Sequence, residues 1–157
     1  MSEVLKIETI LSDDEVNINI IGQIDEDSNF SKILEISKNI YILNLQEVTL
    51  INSCGVREWI NFIEKIPKNS KIIYTNVPQI VVEQMNMVKG FLRNNDEIAA
   101  FYAPYYNETS DRIVSILLKT NQIIDEKAPT MKDDTGEELE FDAIEAQYFN
   151  FIKQQGS

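Results

Sequence analysis

Two short stretches near the start of the chain alternate apolar and polar residues with a period of two. Residues 4–10 and 15–21 are rich in β-branched side chains and flank Leu11-Ser12-Asp13-Asp14, so together they read as a hairpin. In the second stretch Val16, Ile18 and Ile20 share one face and Asn17 and Asn19 the other, as on a sheet buried on one side. The polar residues 25–28 supply caps for a helix expected to reach Asn39, with Phe30, Ile33, Leu34 and Ser37 on one stripe. Residues 41–45 are apolar almost throughout, as in a strand covered on both faces. The strongest helical period lies in 55–66, where Val56, Trp59, Ile60, Ile63 and Ile66 recur and Pro67 ends the run. Residues 71–76 and 96–103 read as further strands. Pro78 opens a third helix, to about Val88, with Gly90 as its stop.

An opening hairpin followed by alternating strands and helices predicts an α/β fold: a mixed β-sheet with helices packed mainly on one face. After Pro104 the pattern changes. Tyr105-Tyr106-Asn107-Glu108-Thr109-Ser110 reads as a polar turn and 112–118 as a strand returning from it. Residues 121–138 form an acidic, aromatic-poor loop with a strong turn signal at Asp133-Asp134-Thr135-Gly136. In 140–153, Phe141, Ile144, Tyr148, Phe151 and Ile152 fall at helical spacing, so that helix must cover apolar surface, most simply the 96–118 hairpin. Residues 154–157 read as a disordered end. The chain is thus expected to divide into a first domain at 1–103 and a C-terminal appendage of hairpin, acidic loop and helix at 104–157.

The stretch 41–56, YILNLQEVTLINSCGV, carries the candidate chemistry. An apolar run breaks into Asn52-Ser53-Cys54, and Gly55 opens the amphipathic helix. A strand feeding a helix through small residues leaves backbone N–H groups free at the helix start, where the dipole favours an anion. An ordinary strand–helix connection with an unmodified capping serine satisfies the same spacing.

Leu50-Ile51-Asn52-Ser53-Cys54-Gly55-Val56 resembles the "hydrophobic-Asp-Ser-Ser/Thr-Gly-hydrophobic" segment of STAS domains (sulfate transporter and anti-sigma factor antagonist). Upstream, residues 16–25 resemble that family's second strand, and Gly22-Gln23-Ile24-Asp25 its "Gly-x-hydrophobic-Asp" ending. The resemblance covers residues 1–102. The family's usual Asp is Asn52 here, and its second small hydroxyl residue is Cys54. The resemblance implies that Ser53 matches the serine that a partner kinase phosphorylates, and that Asn52, Ser53, Cys54, Gly55, Arg57 and Asp25 form a partner-binding surface. The implied partner is a protein of the serine-kinase, anti-sigma-type ATPase class; a homodimer is also compatible. A phosphate on Ser53 adds about −1.5 to −2 charges at the helix start and repels an acidic partner surface, which switches binding rather than catalysis. The competing reading is a constitutive scaffold or assembly subunit with the same fold and no switch.

The appendage resembles a zinc ribbon that has lost its metal. A tyrosine-rich strand, a first knuckle, a hairpin and a second knuckle ending in Gly are in order. However, the ligand positions hold Asn107, Ser110, Lys132 and Thr135, which make no thiolate site.

Composition narrows the function. With 157 residues and a 43% hydrophobic fraction the chain can bury a core without staples. It holds one cysteine and no histidine, which removes disulfides, Cys-x-x-Cys knuckles, the commonest general base and the commonest metal ligand. Cys54 has neither a histidine base nor a nearby cation other than Arg57, and reads as buried small apolar filler. An EF-hand alignment with Gly136 at its sixth position puts Met131 first and fails. No base–nucleophile pair and no Gly-rich phosphate loop is present, so the chain reads as a non-enzymatic module without a cofactor or metal. A net charge of −12 argues against nucleic acid and against anionic membranes. No apolar run approaches the ~20 residues of a bilayer span, and Met1-Ser2-Glu3 starts no signal peptide, so a cytoplasmic location is expected.

Overall fold

The computed structural model describes residues 5–155; Met1 to Val4 and the terminal Gly156-Ser157 lie outside the described residues. The chain is a mixed α/β protein. Strand β1 (Lys6–Leu11) pairs antiparallel with β2 (Glu15–Ile24), and parallel strands β3 (Ile40–Asn44), β5 (Lys71–Thr75) and β6 (Glu97–Ile98) continue the sheet from β2. Strand β4 (Val48–Ile51) pairs parallel with the last residues of β2, past a bulge at Gly22/Gln23. Gly22 stands at φ +109° there, a conformation that needs glycine, and its N–H donates to the Glu47 carbonyl. Val16, Ile18 and Ile20 are fully buried and Asn17 is exposed, as the alternation requires.

Helix α2 (Ser53–Lys65) and helix α3 (Gln79–Met87) contribute the principal helical packing. Trp59 of α2 is fully buried, with its ring edge-on to Phe30 and Phe62 and stacked on Phe91. Phe62, absent from the predicted stripe, is buried with it.

Helix α1 is one turn, Ser31–Leu34, where a helix from 25–28 to Asn39 was predicted. The polar groups after it are drawn to the end of the sheet instead. Tyr41 Oη donates to the Ile36 carbonyl, Ser70 Oγ to the Lys38 carbonyl and the Lys71 N–H to the Asn39 carbonyl. These bonds draw the backbone of 36–39 out of helical continuation past Leu34. Strand β3 alternates buried Tyr41 and Leu43 with half-buried Ile40, Ile42 and Asn44, so its second face is only partly covered.

The C-terminal half departs further from expectation. Strand β7 (Ala100–Asn107) runs through Pro104 and Tyr105 where a turn was predicted, and so crosses the 103/104 position. It pairs antiparallel with β8 (Arg112–Lys119) and β10 (Glu138–Phe141), and β10 pairs with the two-residue β9 (Met131–Lys132). Phe141 and Glu140 are therefore strand residues, not the start of a helix. Two short helices follow, α4 (Glu145–Tyr148) and α5 (Asn150–Gln155), so residues 154 and 155, expected in a disordered end, are helical. Ile144 of the predicted stripe is exposed, while Phe149, outside it, is fully buried. Phe149 and Phe151 pack edge-on against Phe101 of β7. The Asn86 side chain ties α3 to this cluster, donating to the Tyr148 carbonyl and accepting from the Phe151 N–H, both at 2.8 Å.

The two sheets are continuous through β7. Val77 bridges Phe101 in parallel, the Val77 N–H donates to the Ala100 carbonyl, and the Tyr102 N–H donates to the Val77 carbonyl.

Arg93 closes the other end of the molecule. Its guanidinium donates to the Ile66 carbonyl (2.9 Å) at the end of α2, to the Ser70 carbonyl (2.8 Å) and to the Asp96 carboxylate (3.1 Å). Asp96 is 1% exposed, and burial pushes its carboxyl above its ordinary value although Arg93 opposes the shift. Removing the cation leaves a buried carboxylate without its charge partner and takes the guanidinium from the Ile66 and Ser70 carbonyls. Arg93→Ala is expected to cost about 3–5 kcal/mol in urea unfolding. Part of that loss should return in Arg93→Ala/Asp96→Asn.

Three tyrosines make the fold sensitive to alkali. Burial pushes Tyr105 up to about 12, with Glu145 adding to the shift, and raises Tyr74 and Tyr148 as well. The folded chain then holds protons that the unfolded chain releases near pH ~10. Stability from these groups is whole below that pH and falls as pH rises through the interval to about 12. Phenolate absorbance is expected to rise cooperatively with loss of circular dichroism over this range, not along a simple titration curve.

Candidate functional site

The site predicted at 52–57 is the junction of β4 and α2. Asn52 has extended backbone and caps the helix: its Oδ1 accepts the Gly55 N–H at 2.7 Å, and its carbonyl accepts the Val56 N–H at 2.9 Å. The helix thus begins at Ser53, two residues earlier than predicted, and the cap is Asn52 and not Ser53. Asn and Ser are equally good caps, so composition alone does not separate them. Ser53 occupies the first helical position and is exposed.

Cys54 is also exposed, where buried filler was predicted. The inward face of the first turn is taken by Gly55 and Val56, and residue 54 is rotated out of it. Arg57 is exposed. Asn52, Ser53, Cys54 and Arg57 therefore share one accessible surface, with Gly55 beneath it.

Gly55 lies against the end of β2. A Cβ there would overlap the Ile24 carbonyl oxygen and stand 2.9 Å from the Asp25 nitrogen, all rigid backbone. The same Ile24 carbonyl accepts the Asn52 N–H at 3.2 Å. The β2 terminus and the helix start are thereby locked together.

Asp25 is brought to this junction but is buried at 7% exposure and occupied. Its Oδ1 accepts the Asp27 N–H, and its own N–H donates to Ser28 Oγ. It shapes the turn after β2 and is largely withdrawn from the exposed surface. Glu26, which the sequence reading passed over, is exposed and accepts from Asn52 Nδ2 at 3.2 Å. Hydrogen bonding by its own backbone amide, then by Asn52, holds its carboxyl below the ordinary value. Only the order of residues in the Gly22-to-Glu26 segment hinted at it, since the pairing is non-local.

At the knuckle positions of the appendage, Asn107 accepts from the Thr109 and Ser110 N–H groups and donates to Asp133 Oδ2 at 3.0 Å. Asp133 in turn accepts from the Thr135 and Glu137 N–H groups, and Thr109 bonds Glu137. The two turns meet through amide, hydroxyl and carboxylate contacts. Among the described residues no group of three or more His, Cys, Asp or Glu side chains is placed to hold a metal ion. None of the described helices is long and apolar enough to cross a membrane.

No family model matches the chain, and no curated protein matches its sequence.

The glycine contact sets a test of the junction. Gly55→Ala is expected to destabilise by about 3 kcal/mol or more, against the ~1 kcal/mol that alanine contributes in a free helix. Asn52→Ala should cost about 1 kcal/mol through the lost cap. Thermal and urea melts of the two variants separate the contributions.

Proposed function

We propose that the chain is a non-enzymatic, protein-binding signalling module of the STAS type, with the exposed turn and first helical turn at 52–57 as its contact surface and Ser53 as a phosphorylation position. The observation that carries this reading is the exposure of Ser53 at the first position of a 13-residue helix, next to a capped and rigid β4–α2 junction. A switch residue of this kind must be reachable by a kinase while its backbone is held fixed, and both conditions hold. The arrangement of an antiparallel β1–β2 pair, parallel β2–β3–β5, and a β4–α2 junction seated on the end of β2 supports the likeness in element order. A phosphate on Ser53 would add charge beside the α2 N-terminus and alter the surface met by a partner.

One observation favours the constitutive scaffold instead. The Glu26 carboxylate already sits on the Asn52 side chain beside Ser53 and opposes a second negative group there.

Ser53→Asp is expected to weaken capture of a protein partner about tenfold, or ~1.4 kcal/mol, while Ser53→Ala leaves capture intact. Ile144→Lys, on the exposed start of α4, should be neutral under this reading. Intact-mass analysis of chain recovered from native lysate should show a phosphate adduct lost in Ser53→Ala. Tolerance of Ser53→Asp with loss of capture in Ile144→Lys supports the scaffold.

A further inference from the structure

The four-stranded sheet ends on β8, which among the described residues pairs with β7 and no other strand. The direction of its backbone groups follows from the ladder. Thr120 N–H donates to the Ala99 carbonyl in the register of the β7–β8 pair, and antiparallel ladders alternate bonded and non-bonded pairs. Arg112, Val114, Ile116 and Leu118 therefore turn their N–H and C=O toward β7, and Ile113, Ser115, Leu117 and Lys119 turn theirs outward. Pro104, which has no N–H to give, stands opposite Ser115, a non-bonded pair, as this assignment demands. The Lys119 N–H is taken by Gln122 Oε1 at 2.7 Å. The outward groups of Ile113, Ser115 and Leu117 remain, at strand spacing, beneath side chains of which Ile113 is 62% and Leu117 45% exposed.

Three other edge strands are managed differently. Strands β6 and β9 are two residues long, and on β1 the Lys32 ammonium donates to the Ile7 carbonyl. Short edges and lysine caps are the usual protection against strand addition. Strand β8 has eight residues, no cap along its middle, and only basic residues, Arg112 and Lys119, at its ends.

We infer that β8 is a dimerisation edge, pairing antiparallel with β8 of a second copy about a two-fold axis through Ser115. Parity limits the register, and centring on Ser115 is the allowed one that faces the two exposed apolar side chains, Ile113 and Leu117, against each other. Outward groups must meet outward groups, so full overlap, Arg112 opposite Lys119, is forbidden; it would also oppose two cations twice. Centring on Ser115 sets exposed Ile113 opposite exposed Leu117 of the second copy and Ser115 opposite Ser115, and it brings Lys119 to the turn of the second copy that holds Asp111, whose carboxylate accepts from Tyr106 Oη. In a chain of net charge −12 that repels its copies, the span from Arg112 to Lys119 contains no acid. Two four-stranded sheets become one of eight, with the face that carries half-buried Tyr102 and Tyr106 and exposed Ile113 and Leu117 extended across the seam. The interface is small, so the dimer is weak and reversible. It uses no residue of the 52–57 turn.

Sedimentation equilibrium of the full chain under reducing conditions, from about 10 µM to about 1 mM, tests this. The expected result is a reversible monomer–dimer equilibrium. Ser115→Pro removes the outward N–H, uses no bond to β7 and suits extended backbone. It should abolish the dimer while leaving the melting temperature unchanged. Ile113→Lys alone should weaken association at least fivefold, and adding Leu117→Glu, which the register sets opposite it, should restore it. A wild-type chain monomeric at the top of the range, or a dimer undiminished in folded Ser115→Pro, overturns the inference. If Ser115→Pro lowers the melt, the introduced charge pair decides, and no recovery in the double variant overturns the pairing.

Discussion

The first turn of α2 lies on the backbone of β2 with no side chain between them. Gly55 makes this approach possible, and the Ile24 carbonyl is the contact point, accepting from Asn52 and filling the space a Cβ would need. Much of the chain is arranged around this contact. It fixes the direction in which α2 leaves the sheet, which sends Trp59 among Phe30, Phe62 and Phe91. It also fixes which residues of the first turn face out. With Gly55 and Val56 turned inward, Ser53, Cys54 and Arg57 have only solvent before them. The exposed surface is thus a geometric result of a backbone contact.

The far end of α2 is held by different means. Its last carbonyl is taken by Arg93, which also neutralises a carboxylate removed from water. One end of the helix is set by shape and the other by charge. The Arg93–Asp96 pair is local, three residues apart, and contributes little net stability by itself; what displacing α2 would cost is the bond from the guanidinium to the Ile66 carbonyl.

How far this was legible depended on whether the deciding partner was local. The β1–β2 hairpin and α2 are written in short-range periodicity, and the structure has them with ends displaced by up to three residues. Phe141 fits a helical stripe with Tyr148 equally well on paper, yet its partner is Tyr105 on a distant strand, and pairing across a sheet overrides a local period. The 105–110 segment looked like a turn because Pro104, Tyr105 and Tyr106 are read against their neighbours. In the sheet, Pro104 needs no donor toward β8, so β7 runs straight through it. At the site, the identity of 52–55 as a strand–helix junction was legible from spacing. The division of labour within it was not, since Asn52 and Ser53 are both good caps and Glu26 reaches the junction only in the folded chain.

Strand β7 also bears on how the molecule comes apart. It shares hydrogen bonds with Val77 on one side and with β8 and β10 elsewhere, and Phe101 stands beneath the C-terminal helices. A segment that belongs to two sheets cannot leave one of them without disturbing the other. Opening the C-terminal helices uncovers Phe101, and losing Phe101 loosens the edge carrying β5 and β6. Partial unfolding therefore has no inexpensive seam at this strand, and the parts on either side of it are coupled in a single cooperative unit.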